Sequence, residues 1–487
     1  MSDMNTNGLS RRGFIRAAGI VAVGASLPGT LRAARTSAQK AKGPNVVFVL
    51  TDQWRKQATG YAGDPNAITP HLDKLAKQSV NFSNAVSGCP VCCPYRASLL
   101  TGQYPLTHGV FLNDLCLQPK GVTLAEAYAG AGYDTAYIGK WHLDGHGRAS
   151  YIPRDRRHGF DYWKTLECTH NYNRSFYYAA DSKTRLTWSG YDVRAQTDDA
   201  RDYIRKHAAG DKPFFIVLSY GPPHNPYQTA PQKYREMYDA GKIRLRGNVP
   251  DKSKRGAQRD LAGYYAHISA LDACVGDLLA TVKQTGIADN TIFVFTSDHG
   301  DMLGSQGMSR KQKPWDESIM VPLLVRCPDS IGARPRIIDM PINTPDLMPT
   351  LLGLSGIKVP KSVQGDDYSG VITGKAEPSK DAALISCPSP CGEWHRGKGR
   401  EYRGVRTRRY TYVRDLKGPW LLYDNQTDPY QKDNLAGKPE SADLQKRLDA
   451  MLMAKLKSTG DEFLAGEKYI AKWGYKVNAR GTVPYRD

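Results

Sequence analysis

NVVFVLTDQ, residues 45–53, decides the fold of this 487-residue chain. Val46 to Leu50 are apolar without interruption and mostly β-branched or aromatic, the pattern of a strand buried on both faces, and the run breaks at once into Thr51, Asp52 and Gln53. Three further stretches repeat the design: DTAYIGKWH (134–142), PFFIVLSYGPPH (213–224) and TIFVFTSDHG (291–300). Helical patterns lie between them, at TPHLDKLAKQSV (69–80), TLAEAYAGAG (123–132) and GYYAHISALDACVGDLLATVKQTG (263–286). The alternation predicts an α/β fold with a mostly parallel central sheet sandwiched by helices.

Packing explains the apolar residues but not the way these strands end. Asp52 and Gln53, Lys140 and His142, His224, and Asp298 and His299 each fall just past a carboxyl end, where open α/β sheets build their sites. Four strand ends are therefore expected to converge on one crevice.

After about residue 370 the pattern changes. KAEPSKDAA (375–383) reads as a polar linker, and YRGVRTRRYTYVRD (402–415) and WLLYDNQTDPYQKDNLA (420–436) alternate like antiparallel strands. A helix is expected at ESADLQKRLDAMLMAKL (440–456). The expected division is a leader over 1–40, a catalytic domain over 44–372 and a smaller C-terminal α+β domain with an antiparallel sheet over 376–487.

The leader, SRRGFIRAAGIVAVGASLPGT (10–30), sets Arg11 and Arg12 before a short apolar stretch of small residues, which resembles a twin-arginine export signal. It predicts a periplasmic or secreted protein, with the twin-arginine export machinery as a partner. No uninterrupted apolar run has the length of a membrane span, so no transmembrane anchor is expected. The net charge is +19, and the first forty residues hold six Lys or Arg against one Asp, which leaves +14 on the remainder. A basic surface concentrates anionic ligands. The basic residues are dispersed and carry no nucleic-acid motif, so nucleic acid is not an expected partner.

The densest chemistry lies in CPVCCPYRASLLTG (89–102). Pro94 suits the first turn of a helix, which puts Cys92 at or just before the helix start, where unpaired amides and the helix dipole favour an acidified thiol. Arg96 adds a positive charge one turn in. Cys89, Cys92 and Cys93 could instead be structural, paired as disulfides in an exported protein. A zinc site would need a second cysteine pair at finger-like spacing, and none stands nearby.

CCPYRASLLTGQYP, together with TDQ, GKWHL, TSDHGDMLG and YDNQTDP, resembles the formylglycine-dependent sulfatases of the alkaline phosphatase superfamily, over about residues 44–436. Tyr95 stands where that family usually has a small residue, and Cys93 where it commonly has serine. The resemblance implies an alkaline phosphatase-like catalytic domain hydrolysing sulfate esters. It implies that a separate formylglycine-generating or sulfatase-maturing enzyme oxidises Cys92 to formylglycine, whose hydrated aldehyde supplies the attacking hydroxyl. It further implies that Asp52, Gln53, Asp298 and His299, with the modified Cys92, hold a divalent cation; the oxygen donors favour calcium, with manganese or magnesium as alternatives. Arg96, Lys140 and Lys311 would clamp the developing negative charge, with Lys313 competing for the last role. His142 would assist release of sulfate from the enzyme, and His224 would protonate the leaving alcohol. Asn113, Asp114, His170 and Asn171 are further candidates for the pocket. An exported hydrolase with a basic surface points to a sulfated polysaccharide or oligosaccharide as substrate. A phosphodiesterase or phosphonate monoester hydrolase of the same superfamily is the competing enzyme, and an inactive glycan-binding relative the competing non-enzyme.

Overall fold

The computed structural model describes residues 43–377 and 381–484. The export leader read from the sequence lies outside them. Ten strands form the main sheet: β1 (Asn45–Asp52), β2 (Val80–Val86), β3 (Asp134–Lys140), β4 (Tyr162–Leu166), β5 (Phe176–Ala179), β6 (Leu186–Thr187), β7 (Phe214–Pro223), β8 (Thr291–Ser297), β9 (Leu323–Arg326) and β10 (Arg336–Asn343). Their order is β10-β2-β9-β8-β1-β7-β3-β4-β5-β6. The four strands legible in the sequence, β8, β1, β7 and β3, are adjacent and mutually parallel. Only β9 and the β5-β6 extension run antiparallel to their neighbours.

The period of two along a strand divides each apolar run between two cores. Val46, Phe48 and Leu50 of β1 join Phe215, Val217, Ile292 and Val294 on one face. Val47 and Val49 join Phe214, Ile216, Leu218, Phe293 and Phe295 on the other. Each side chain so buried stabilises the fold by about 1.5–3 kcal/mol. The helix Lys254–Gln284 covers the second face, with Tyr264, Ile268, Leu271, Val275 and Leu278 buried.

A second sheet comprises β11 (Ala382–Cys387), β12 (Tyr402–Thr407), β13 (Tyr410–Asp415) and β14 (Gly418–Asp424), antiparallel throughout. One of its faces packs on Leu448, Leu452 and Leu456 of the helix Ala442–Thr459. The other meets Val86, Met302, Trp315, Ile319 and Met320 from around the end of the main sheet. The expected linker is shorter than read, because Ala382 and Ala383 already belong to β11 and pair with Thr407 and Arg406.

Candidate active site

The helix carrying the cysteine motif runs Cys92–Thr101, with Pro94 in its first turn and all ten residues buried. It stops at Gly102, whose φ of 63° in the left-handed region suits a residue without a side chain. Cys92 thus opens the helix, as its proline and dipole require. All nine cysteines, each among the described residues, are free thiols, so the disulfide reading of Cys89, Cys92 and Cys93 is not realised. Cys93 is a core residue; its amide donates to Asn113 Oδ1 (3.1 Å) and its sulfur accepts from the Asp114 amide (3.1 Å).

Around Cys92 the strand ends meet as expected. Its sulfur lies 3.3 Å from His299 Nε2, 3.7 Å from Asp52 Oδ1 and 3.1 Å from Lys311 Nζ. Ligand atoms of Asp52, Cys92, Asp298 and His299 all fall within 4.8 Å of one another, and all four residues are buried. The ring of His299 is oriented for coordination: Nδ1 lies 3.0 Å from the Gly300 carbonyl oxygen, which only accepts, so Nδ1 carries the hydrogen and the Nε2 lone pair faces the cluster. Gly300 is required here, because a Cβ would come within 2.0 Å of the Glu317 carbonyl oxygen. Burial and the neighbouring Asp52 push Asp298 up to about 6, since two carboxylates this close disfavour each other's charge. A buried pair of carboxylates with an aimed imidazole is a donor set that fits a divalent cation.

Positive groups surround this cluster. Lys140 Nζ donates to Asp52 Oδ2 at 2.6 Å, and Arg96 Nη2 reaches both Asp52 and Asp298 at 3.3 Å. Arg96 Nη1 is anchored on Ser219 Oγ (2.7 Å) and the Lys140 carbonyl (2.9 Å). Arg96 therefore bridges the two carboxylates. Burial and Asp52 raise the Cys92 thiol, but Lys140 and Lys311 outweigh them and hold it well below its usual range.

Of the two competing lysines, geometry brings in Lys311. Its ammonium contacts Cys92, Gln53 Oε1 (3.2 Å) and His224 Nε2 (2.9 Å). Lys313 turns back onto the Ser309 carbonyl (2.8 Å) and over the Trp394 ring, and burial brings it down to about 8. Gln53 sits at φ 72°, its side-chain amide donating to Asp301 Oδ2 at 2.6 Å, so Asp301 aims Oε1 toward Lys311.

The two remaining histidines are held in opposite states. Burial and Lys311 keep His224 well below its usual range, and the ring accepts from Lys311 while Nδ1 donates to the Asn225 carbonyl at 2.9 Å. His170 stacks on it with centroids 4.7 Å apart. For His142, burial opposes the charged ring, but Cys93, Cys168 and Asp114 prevail and hold it protonated well above its usual range; Asp114 Oδ1 lies 2.9 Å from Nε2. A cavity of about 580 Å³ opens above these groups, with Asn113, Asp114 and His170 in its lining, as anticipated. Asn171 is exposed and does not line it.

The sequence signature described as Sulfatase spans residues 44–357, well over half of the chain. The chain belongs to the sulfatase family. Residues 304–458 match the signature described as N-sulphoglucosamine sulphohydrolase, C-terminal. An ulvan-active sulfatase of Formosa agariphila is 47% identical over 91% of this chain and 87% of its own length. An endo-4-O-sulfatase of Bacteroides thetaiotaomicron is 31% identical over 83% and 90%. A solved structure from work on the metabolism of multiple glycosaminoglycans by Bacteroides thetaiotaomicron superposes with a TM-score of 0.79, at 28% identity, covering 88% of this chain and 99% of that one. The sulfatase reading of the motifs therefore holds, and the protein is a sulfuric ester hydrolase.

Several supports of the sulfatase site carried no signal of their own in the sequence. Ser219, Asp301 and Tyr264 act only through residues far along the chain; the Tyr264 hydroxyl donates to the Gln53 carbonyl (2.7 Å) and accepts from the Arg55 amide (2.9 Å). Glu167 is another. It accepts from the amides of Leu143, Asp144 and Gly145, just after His142, at 3.2, 2.9 and 3.0 Å.

Burial pushes Glu167 up to about 7, against the opposing charge of His142 and those amides. A carboxyl raised in the fold contributes stability that is complete below about pH 4.5 and lost as pH rises through about 7. Chemical denaturation across that window should show Glu167→Gln with the flatter pH dependence, the slopes integrating to a difference on the order of 1–3 kcal/mol. Parallel curves would refute a buried proton at Glu167.

Proposed function

We propose that this sulfatase removes sulfate esters from a sulfated polysaccharide or its oligosaccharides, using formylglycine made from Cys92. The observation that carries the proposal is the position of the Cys92 side chain, between a dicarboxylate-imidazole cluster on one side and the Lys311 ammonium on the other. The substrates named for the relatives above support a polysaccharide.

Asp52, Asp298 and His299 would hold the cation, bordered by Gln53 Oε1, and their donor atoms suit calcium, with manganese or magnesium as alternatives. The cation would supply charge neutralisation at the nucleophile and at a sulfate oxygen. Hydrated formylglycine would supply an oxygen nucleophile that needs no second attack at sulfur to regenerate.

The chain's own groups then divide the work. Lys140 and Lys311 fix sulfate oxygens, and Arg96 keeps the two carboxylates in place for the cation. The Lys311 ammonium, 2.9 Å from the neutral His224 ring, carries the proton for the leaving alcohol oxygen, and His224 Nε2 holds that ammonium in place. Asp114 holds the protonated His142, whose ring lines the cavity and would donate to an ester or sulfate oxygen.

On this reading residues 44–372 form the catalytic domain and 376–487 the smaller one, while residues 1–40 direct folded export to the periplasm or beyond by the twin-arginine route, after a maturation enzyme has acted. Among the described residues no helix is long and apolar enough to cross a membrane.

Mass spectrometry of the peptide spanning Cys92, from protein co-expressed with a maturation enzyme, should show an aldehyde that traps a hydrazine probe. The same preparation should hydrolyse 4-nitrophenyl sulfate at least about 100-fold faster than 4-nitrophenyl phosphate, a gap of about 2.7 kcal/mol in barrier. An intact thiol in fully active enzyme, or the reverse preference, would falsify the proposal.

A further inference from the structure

The floor of the cavity accounts for a sulfate group, yet its volume of about 580 Å³ falls in the range that encloses a ligand well beyond sulfate size. The mouth is built from other parts of the chain. Arg148, Arg310, Arg396 and Arg480 line it, against the acids Asp114 and Glu393. Two of these arginines are engaged: Arg148 with Asp114 at 3.2 Å, and Arg310 with the Tyr227 hydroxyl. Among the described residues the acidic partner of Arg396 is Glu393, at 4.0 Å and with both side chains more than half exposed. Arg480 has no acidic partner among the described residues.

Arg480 is nevertheless held in place. Asn478 Oδ1 accepts from the Arg480 amide (2.8 Å) and the Thr482 hydroxyl (2.9 Å), and the Asn478 amide donates to the Thr482 carbonyl (2.9 Å). Gly481, at φ 64°, completes the turn. The Gly392 amide donates to the Arg480 carbonyl at 2.9 Å, which fastens this turn to the start of the helix Gly392–Arg396 that bears Arg396. Two guanidinium groups are thus presented at the mouth of a cavity that is already cationic. Both add positive charge to the mouth, and their planar forks match a carboxylate or a sulfate.

We propose that Arg396 and Arg480 form a second anion subsite, which takes the carboxylate or sulfate of a sugar adjacent to the one bearing the scissile sulfate. The subsite deepens the proposed function and rests on it, and it makes the preferred substrate an oligosaccharide with at least two acidic groups.

The test compares wild type, Arg396→Gln, Arg480→Gln and the double variant, all matured alike. Ulvan oligosaccharides serve both as substrates and as inhibitors of 4-nitrophenyl sulfate turnover, so that KM or Ki reports their binding. In the double variant this constant should rise about tenfold, while 4-nitrophenyl sulfate, which lacks a second anion, keeps its kcat/KM within about twofold. Added salt should weaken oligosaccharide binding more in wild type than in the double variant. Reducing the uronate carboxylates to alcohols identifies the ligand: the arginine dependence disappears if the subsite takes a carboxylate and persists if it takes a second sulfate. An unchanged constant in the double variant, an equal loss on both substrates, or oligosaccharides that bind wild type no better than the aryl ester would overturn the subsite. No turnover of 4-nitrophenyl sulfate by matured wild type would overturn the sulfatase mechanism beneath it.

Discussion

Cys92→Ala should lower kcat for sulfate ester hydrolysis by about 10⁴-fold or more, the scale seen when a covalent nucleophile is removed from an otherwise complete site. The fold should persist. The Cys92 side chain is buried, but its sulfur contacts polar groups rather than core side chains, and losing one sulfur costs on the order of 1 kcal/mol. Thermal unfolding within a few degrees of wild type, measured beside the rate of sulfate release, separates lost chemistry from lost structure. Protein made without a maturation enzyme should show a comparable deficit while keeping its thiol. Residual activity near wild type in either case would remove Cys92 from the reaction.

Asp52→Asn should produce the largest combined effect. Asp52 is fully buried and accepts from Lys140 at 2.6 Å and Arg96 at 3.3 Å. Burial alone would raise its carboxyl, but the Lys140 and Lys311 ammonium groups overcome that and hold it well below the usual range. Neutralising it leaves buried cations without their counter-charge, a change of about 3–5 kcal/mol. The expected result is a marked fall in the denaturation midpoint, together with loss of both metal binding and turnover. Asp298→Asn makes the contrast, because burial and Asp52 have already pushed Asp298 up to about 6. It should cost much less stability yet abolish turnover as fully. Equal destabilisation by the two variants would contradict this assignment of charge.

The strands that place the site were legible because they are buried on both faces, so β1, β3, β7 and β8 stand out as apolar runs with polar residues at their ends. β2 (VNFSNAV) and β10 (RIIDMPIN) mix polar and apolar residues toward the sheet edge and gave no such signal. In the site, residues that follow a strand end were found. Those that matter through a partner distant in sequence were not: Ser219 beneath Arg96, Asp301 behind Gln53, Glu167 beside His142. The choice between Lys311 and Lys313 could not be made from a loop sequence, because the Ser309 carbonyl and the Trp394 ring that draw Lys313 away lie in folded space. Arg96 was expected to clamp the formylglycine and sulfate oxygens; its contacts with Asp52 and Asp298, both at 3.3 Å, were not foreseen from the sequence.

The complete burial of the helix Cys92–Thr101 sets a timetable. The Gly88 carbonyl just before the cysteine motif is capped by the Ser386 amide of β11 at 2.7 Å, and part of the wall above it comes from the tail beyond Asn478. Those segments leave the ribosome last. On the proposed formylglycine mechanism, an oxidising enzyme would therefore work on a nascent, extended peptide and win a race against closure, and a chain that folded first would stay in its unoxidised form.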